Sequence, residues 1–234
     1  MKLKLLFFGF IFLNFNFLFA QDFVLPPKIN FDQNSGIVGF SYDVRIWGWS
    51  RNGKVAYSTE YEWSEIFQNI NFFILDLISD KILFQFHLGY KDEDYGQVRD
   101  EALYDANRTL ILNALRTHNI IRHDLIERQT EFLQFPFRRN NVLYDCRLIN
   151  IVYVETEYGQ NNLSRYAVSV IANEKRKIIG NFTTQPLVDE VYVKGYFLSP
   201  FENRIMVAAA EMSGYQYGPR GYRFMGCHLE VGFK

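Results

Sequence analysis

Alternation of apolar and polar residues is the main pattern of the chain beyond residue 40, and it predicts β-strands. In the first such stretch Val44, Ile46 and Gly48 alternate with Arg45, Trp47 and Trp49. The two groups are therefore expected on opposite faces of one strand. Asn52-Gly53 follows and predicts a hairpin with a type I′ turn, since both residues tolerate positive φ. A second hairpin is predicted with its turn at Ser79-Asp80.

Between Asp94 and His118 the pattern changes to the period of an amphipathic helix. Asp94 with Gln97 is typical of a capping box, and Asn119 can end the helix. We expect one helix, within an insertion at about residues 94–130, that packs on the sheet. The apolar positions are Leu103, Ala106, Leu110, Ile111, Ala114 and Leu115, and of these Leu103, Leu110 and Ile111 are predicted to be buried.

Strand patterns return after Glu131 and continue to the end of the chain. They cover residues 132–137, 142–155, 166–172, 176–182, 190–197, 204–211 and 222–233. The fold class predicted is mainly β (α+β): antiparallel meander sheets with blade-like hairpins and one packed amphipathic helix. Residues 21–234 are expected to form a single β-rich domain.

The late part of the chain repeats features of the first hairpin. Gly48 matches Gly195, Ser50 matches Ser199 after a shift of two residues, and Lys54-Val55 matches Arg204-Ile205. The same supersecondary unit is therefore predicted on both sides of the helix.

These hairpins give the chain a partial resemblance to known repeats. The stretches Trp49–Tyr57 and Phe72–Leu77 resemble the strand-turn-strand units of TolB-like and WD-type propeller repeats. With Leu198-Ser199-Pro200 and Gly226-Cys227-His228-Leu229, the chain also resembles secreted bacterial proteins predicted to be built around such hairpins. The resemblance implies a β-sheet scaffold in an exported protein and assigns no catalytic residue.

The first 20 residues have the order of a secretory signal peptide. Lys2 and Lys4 give a basic start, Leu5–Phe19 is largely apolar, and Ala20 precedes the polar pair Gln21-Asp22. Cleavage after Ala20 is expected, and the apolar stretch is too short to span a membrane. We therefore expect a periplasmic or secreted protein with no transmembrane span once the leader is removed.

Composition narrows the function classes further. The 234 residues include 25 Lys and Arg and 26 Asp and Glu. The sequence therefore lacks the excess of positive charge that is typical of nucleic-acid-binding proteins. No phosphate-binding loop, serine elbow, metal-ligand spacing or cofactor motif occurs in the sequence. The predicted function is an exported cell-envelope binding or scaffolding protein without a catalytic motif. The alternative is a secreted hydrolase whose site would assemble from distant residues such as His123, Asp124 and His228.

Two further features concern partners and redox state. The Gly-rich loop from Gly214 to Tyr222 combines Tyr215, Tyr217 and Tyr222 with Arg220, which suits a peptide, a glycan or an envelope protein. Cys146 and Cys227 form either a disulfide, closing a loop of about 80 residues, or two buried free thiols. Both the disulfide and the pair of free thiols are compatible with strand residues of an exported protein.

Overall fold

A computed structural model describes residues 23–31, 40–63, 67–88, 100–128, 130–155, 161–213 and 218–234. The described chain is mainly β, with antiparallel strands and two short helices. The leader and the predicted capping box at Asp94 lie outside these residues. No helix among them is long and apolar enough to cross a membrane.

Fourteen strands and two α-helices follow one another in the residues that the structure describes. They are β1 (Ile29–Asn30), β2 (Phe40–Trp49), β3 (Lys54–Trp63), β4 (Phe67–Asp76), β5 (Lys81–His87), α1 (Asp100–Ala106), α2 (Arg108–Thr117), β6 (Ile121–Arg122), β7 (Phe132–Leu133), β8 (Phe137–Arg139), β9 (Val142–Glu155), β10 (Asn161–Ala172), β11 (Lys175–Thr183), β12 (Glu190–Leu198), β13 (Arg204–Ser213) and β14 (Gly218–His228). The predicted strands are confirmed with two exceptions. Residues 132–137 divide into the short strands β7 and β8, which belong to different sheets, and the last strand ends at His228 instead of continuing to Phe233.

The strands form three antiparallel sheets. Sheet A has the order β1-β2-β3-β4-β5, with β6 paired to the end of β2. Sheet B has the order β14-β13-β12-β7, and sheet C has the order β11-β10-β9-β8. Most neighbouring strands are also consecutive in the sequence, which is the meander that the hairpin signals predicted.

Three apolar clusters join these elements into four layers. The helices pack on one face of sheet A, where Trp47 and Phe72 meet Tyr104 and Ile111. The other face of sheet A packs on sheet B, and the opposite face of sheet B packs on sheet C. The order is therefore helices, sheet A, sheet B, sheet C. The sheets stack as layers, and we find no propeller within the described part of the chain.

Sheet B is covered on both faces. On its central strand β13, Ile205, Val207 and Ala209 face sheet C, while Met206 and Ala208 face sheet A. A strand buried on both faces is expected to be continuously apolar. The run from Ile205 to Ala210 meets this expectation, and its three alanines let the layers approach closely.

The two repeated units have the same local structure. Gly48 and Gly195 each follow a register shift, and each lies opposite a short strand, β6 or β7. A Cβ at Gly48 would lie 2.1 Å from the carbonyl oxygen of Ile121, and one at Gly195 would lie 2.3 Å from that of Leu133. Only glycine allows this approach, so both bulges depend on it.

The first hairpin turn differs from the type I′ turn that was predicted. Among its residues only Gly53 has a positive φ, at 82°, and the loop has four residues, 50–53. The Ser50 hydroxyl accepts hydrogen bonds from the backbone N–H of Lys54 at 2.8 Å and of Asn52 at 3.3 Å. The side chain of Ser50 thus fixes a longer loop than two turn residues would.

The single predicted helix is interrupted. α1 ends at Ala106 and α2 begins at Arg108. The side-chain amide of Asn107, the residue between them, donates hydrogen bonds to the carbonyls of Leu88 and Leu103. Ile111 is fully buried and Leu103 is half-buried, but Leu110 is 43% exposed, so its predicted burial is wrong. Asn119, with φ 58°, follows the second helix as predicted.

Three hairpin turns meet at one end of the molecule, which we call the closed end (residues 50–53, 77–80 and 199–203). The N–H of Leu77 donates to the carbonyl of Gly53 at 2.8 Å, and the guanidinium of Arg51 lies 4.9 Å from the ring of Phe201. Strands alternate in direction, so β3, β9 and β13 all finish at the opposite end. The loop predicted to bind a ligand leaves from that opposite end.

Candidate ligand-binding site

Three tyrosines line the end of the sheet A and sheet B interface beside the β13–β14 loop. The ring of Tyr222 stacks on Tyr42 with centroids 3.9 Å apart, and Tyr61 lies 6.4 Å from Tyr42. Tyr42 is buried, whereas Tyr61 and Tyr222 are half-buried. We call these three residues the tyrosine rim. Strand alternation explains the placement, since Tyr42 shares a face of β2 with Val44 and Ile46.

A bulge shapes the start of β14 next to the rim. Glu211 pairs with Gly221 and Met212 pairs with Pro219, which leaves Arg220 as the extra residue. A bulge turns the local backbone and increases its twist. The pair of glycines and the proline in this stretch favour such an irregular start.

A charged cluster lies on the other face of the same strands, between sheets B and C. The carboxylate of Glu211 accepts hydrogen bonds from the hydroxyl of Tyr166 and from Nε of Arg223, both at 2.9 Å. Glu211 is 3% exposed. Burial raises the pKa of Tyr166, and Glu211 raises it further. The carboxylate is thus matched by two donors and holds the base of the loop to sheet C.

The structure describes only some of the residues that were predicted to bind a ligand. Tyr215 and Tyr217 lie outside the described residues. Arg220 has a described backbone, as the bulge residue of β14, but its side chain lies outside the described part. Tyr222 belongs to the tyrosine rim. Tyr42 and Tyr61, which join it there, were missed because the sequence does not show which sheets face each other.

The histidine candidates for a hydrolase do not come together. His123 opens a short 3-10 turn after β6, and the carboxylate of its neighbour Asp124 is paired with Arg122. His228 ends β14, where its Nδ1 accepts a hydrogen bond from the N–H of Glu230 at 3.2 Å. No contact links these histidines within the described part of the chain.

The two cysteines are free thiols on facing sheets. Cys227 belongs to the cluster between sheets B and C, and Cys146 packs against the same cluster. Burial raises the pKa of Cys146 to about 12 and that of Cys227 to about 11. Thiols with such values are protonated at neutral pH, so neither is suited to nucleophilic attack.

A second charged cluster joins an N-terminal segment to sheet A and was not expected. Nε of Arg45 donates to Glu60 at 2.5 Å, Nζ of Lys28 lies 2.8 Å from the same carboxylate, and the hydroxyl of Tyr104 donates to it at 2.7 Å. Arg45 also donates to the carbonyl of Pro26 at 2.5 Å. Arg45 shares a face with Trp47, so alternation could have signalled its burial. Its partners across the chain could not be predicted.

Comparison with known proteins gives no relative. No family model, curated protein or solved structure matches the chain. Among the described residues, no group of three or more His, Cys, Asp or Glu is placed to hold a metal ion.

Proposed function

We propose that the protein is an exported, non-enzymatic binding module of a bacterial cell envelope, either periplasmic or secreted. Its ligand surface is the tyrosine rim together with the β13–β14 loop, and its partner is a peptide or a glycan. The observation that carries the proposal is the stack of Tyr42 on Tyr222, with Tyr61 beside it, at the base of that loop.

The chemistry of the rim supports binding. A tyrosine offers a large contact area with few rotatable bonds and a hydroxyl for hydrogen bonds, which is why such rings are common in binding loops. Tyr61 and Tyr222 are only half-buried, so part of each side chain faces solvent. The sequence of the loop adds Tyr215 and Tyr217 just before β14, the strand that carries Tyr222.

The scaffold below the rim also supports binding. Glu211 joins Tyr166 and Arg223 across sheets B and C, and sheet B is packed on both faces. Binding residues are often carried by loops that a rigid scaffold positions, and the packed sheets B and C provide such a scaffold. The leader, with its expected cleavage after Ala20, supports export.

The test is partner capture from an envelope extract by the mature chain that begins at Gln21. Replacement of Tyr215, Tyr217 and Arg220 by alanine is expected to weaken capture more than about tenfold, because loop contacts provide the binding energy. The melting midpoint should stay within about 2 °C of the parent, since loops between strands contribute little to the stability of a core. Digestion of the captured material by a protease or by glycosidases identifies the class of partner.

Arg138→Ala is the matched control, because Arg138 is an exposed residue of β8 outside the rim. It should leave capture unchanged. Equal retention of the partner by the triple variant would contradict the proposal. A large fall in its melting midpoint would show instead that the loop is part of the core.

A further inference from the structure

A pocket of about 360 Å³ lies on sheet C, away from the tyrosine rim. It extends across three neighbouring strands, β9, β10 and β11. The exposed residues that line it are Asn150, Val152, Arg165, Asn181 and Thr183. Its volume falls in the range of about 300 to 1,000 Å³ that is usual for small-molecule sites.

Irregular pairing creates this pocket. Arg165 of β10 pairs with Val152, but Ala167 pairs with Ile149, so β9 contains one extra residue at this level. Asn150 lies in that interval and has a φ of 53°. Bulges and left-handed non-glycine residues are enriched at functional sites, where they redirect side chains.

The lining has the chemistry of a site for a hydroxylated anion. Arg165 supplies a guanidinium, and no carboxylate is present among the described lining residues. Asn150 and Asn181 each offer an amide donor and an amide acceptor, and Thr183 offers a hydroxyl. A guanidinium binds oxyanions in a forked geometry, and the amides suit neighbouring hydroxyl groups.

The surroundings of the pocket add positive charge. Strand alternation places Arg147 of β9 and Arg176 of β11 on the same outer face as Arg165. Arg147 has a 66% exposed side chain and pairs with Asp145 at 2.9 Å, and Arg176 is exposed. Asp145 lies on the same face and offsets Arg147, which leaves Arg165 and Arg176 in excess there, although the whole chain has a formal net charge of −1.

We propose that the pocket binds an acidic unit of a polysaccharide. The carboxylate or sulfate of the sugar pairs with Arg165, and its hydroxyls bond to Asn150, Asn181 and Thr183. The pocket is open to solvent, and its volume of about 360 Å³ suits a single sugar unit of a longer chain. A paired set of amides suits a polyhydroxylated ring better than a nucleic-acid backbone. This inference does not depend on the proposed function at the rim, because the two sites use different residues.

Isothermal titration with three short oligosaccharides tests the proposal. The probes are a galacturonic acid tetramer, its uncharged methyl ester and a sulfated galactose tetramer. At least one acidic tetramer should bind, and the methyl ester should bind at least about tenfold more weakly, because the ion pair is lost. The two acidic probes distinguish carboxylate from sulfate as the recognised group.

Arg165→Gln and Arg176→Gln form a matched pair of variants, since both residues are exposed arginines on the same face. Arg165→Gln should weaken binding of the acidic tetramer by about tenfold or more, while Arg176→Gln should change it by less than about twofold. Both variants should keep the parental melting midpoint, as changes of exposed residues.

Several results would overturn the inference. These are no binding of either acidic tetramer up to about 1 mM, equal affinity for the methyl ester, or equal effects of the two arginine variants. Tighter binding of a single-stranded oligonucleotide than of either acidic sugar would also overturn it, since the face would then be a general polyanion site.

Discussion

At the scale of single residues, glycine allows close backbone contact between sheets A and B. Gly226 of β14 lies beneath the β4–β5 turn, and its N–H donates to the carboxylate of Asp80 at 2.6 Å. A Cβ at this position would lie 2.0 Å from the carbonyl oxygen of Leu77. The same carbonyl accepts a hydrogen bond from Nη1 of Arg204 at 3.0 Å, so the turn has little freedom to move aside.

Gly226→Ala is therefore expected to lower the free energy of unfolding by about 1 to 3 kcal/mol, because an added methyl group must displace packed backbone. Gly221→Ala is the control in the same strand, since a Cβ there has no atom within 4 Å. It should change stability by less than about 0.5 kcal/mol. Urea denaturation of both variants measures the difference, and similar losses would argue against the close approach at Gly226.

At the scale of elements, the strands could be predicted from alternation, but the faces of β2 could not. Trp47 and Trp49 share a parity in the sequence. In the structure Trp47 faces the helices and Trp49 faces sheet B, because the bulge at Gly48 reverses the alternation. The bulge is an irregularity of the β2–β3 pairing between Ile46 and Gly48, so the apolar pattern of β2 alone does not reveal it.

The helices show the same limit. Periodicity located the helical segment, but not the break at Asn107, whose side-chain amide donates to the carbonyl of Leu88 outside the helix. The buried face is centred on Tyr104, Ile111 and Leu115, so Leu110 lies on the surface. The candidate site was likewise visible only in part: the aromatic loop residues could be named from the sequence, whereas their neighbours Tyr42 and Tyr61 lie on another sheet.

Ile111→Ala should accordingly cost about 2 to 5 kcal/mol, through the lost burial and the cavity that remains. Leu110→Ala should cost less than about 0.5 kcal/mol, as a surface change. Thermal or urea unfolding checks both values. A larger loss for Leu110→Ala than for Ile111→Ala would mean that the helix is rotated from its described position.

At the scale of the whole molecule, the cluster around Glu60 connects an N-terminal segment, sheet A and helix α1. Burial alone would raise the pKa of Glu60, but Lys28 and Arg45 outweigh it, and the pKa lies below its usual value. A lowered pKa in the folded state means that the carboxylate stabilises the fold above the unfolded pKa of about 4.3. This contribution is lost as the pH falls through the folded pKa.

Glu60→Gln should therefore lower the free energy of unfolding at pH 7 by about 3 to 5 kcal/mol, because Arg45 and Lys28 lose a buried partner. The variant should also lose less further stability than the parent between about pH 5 and pH 3. Glu101→Gln, at an exposed position of α1, is the control. Parallel stability curves for Glu60→Gln and the parent across this acid range would contradict the role assigned to Glu60.

The central position of sheet B also sets an order of events during synthesis. A ribosome makes every described strand of sheets A and C before it reaches β12, β13 and β14, the strands that cover both. Until β12 and β13 have been made, Val44 and Tyr57 on one side and Val168 and Val170 on the other lack the apolar layer that these strands provide. The nascent chain therefore exposes two apolar surfaces until these late strands are made. A chaperone that binds these surfaces can act only during that interval.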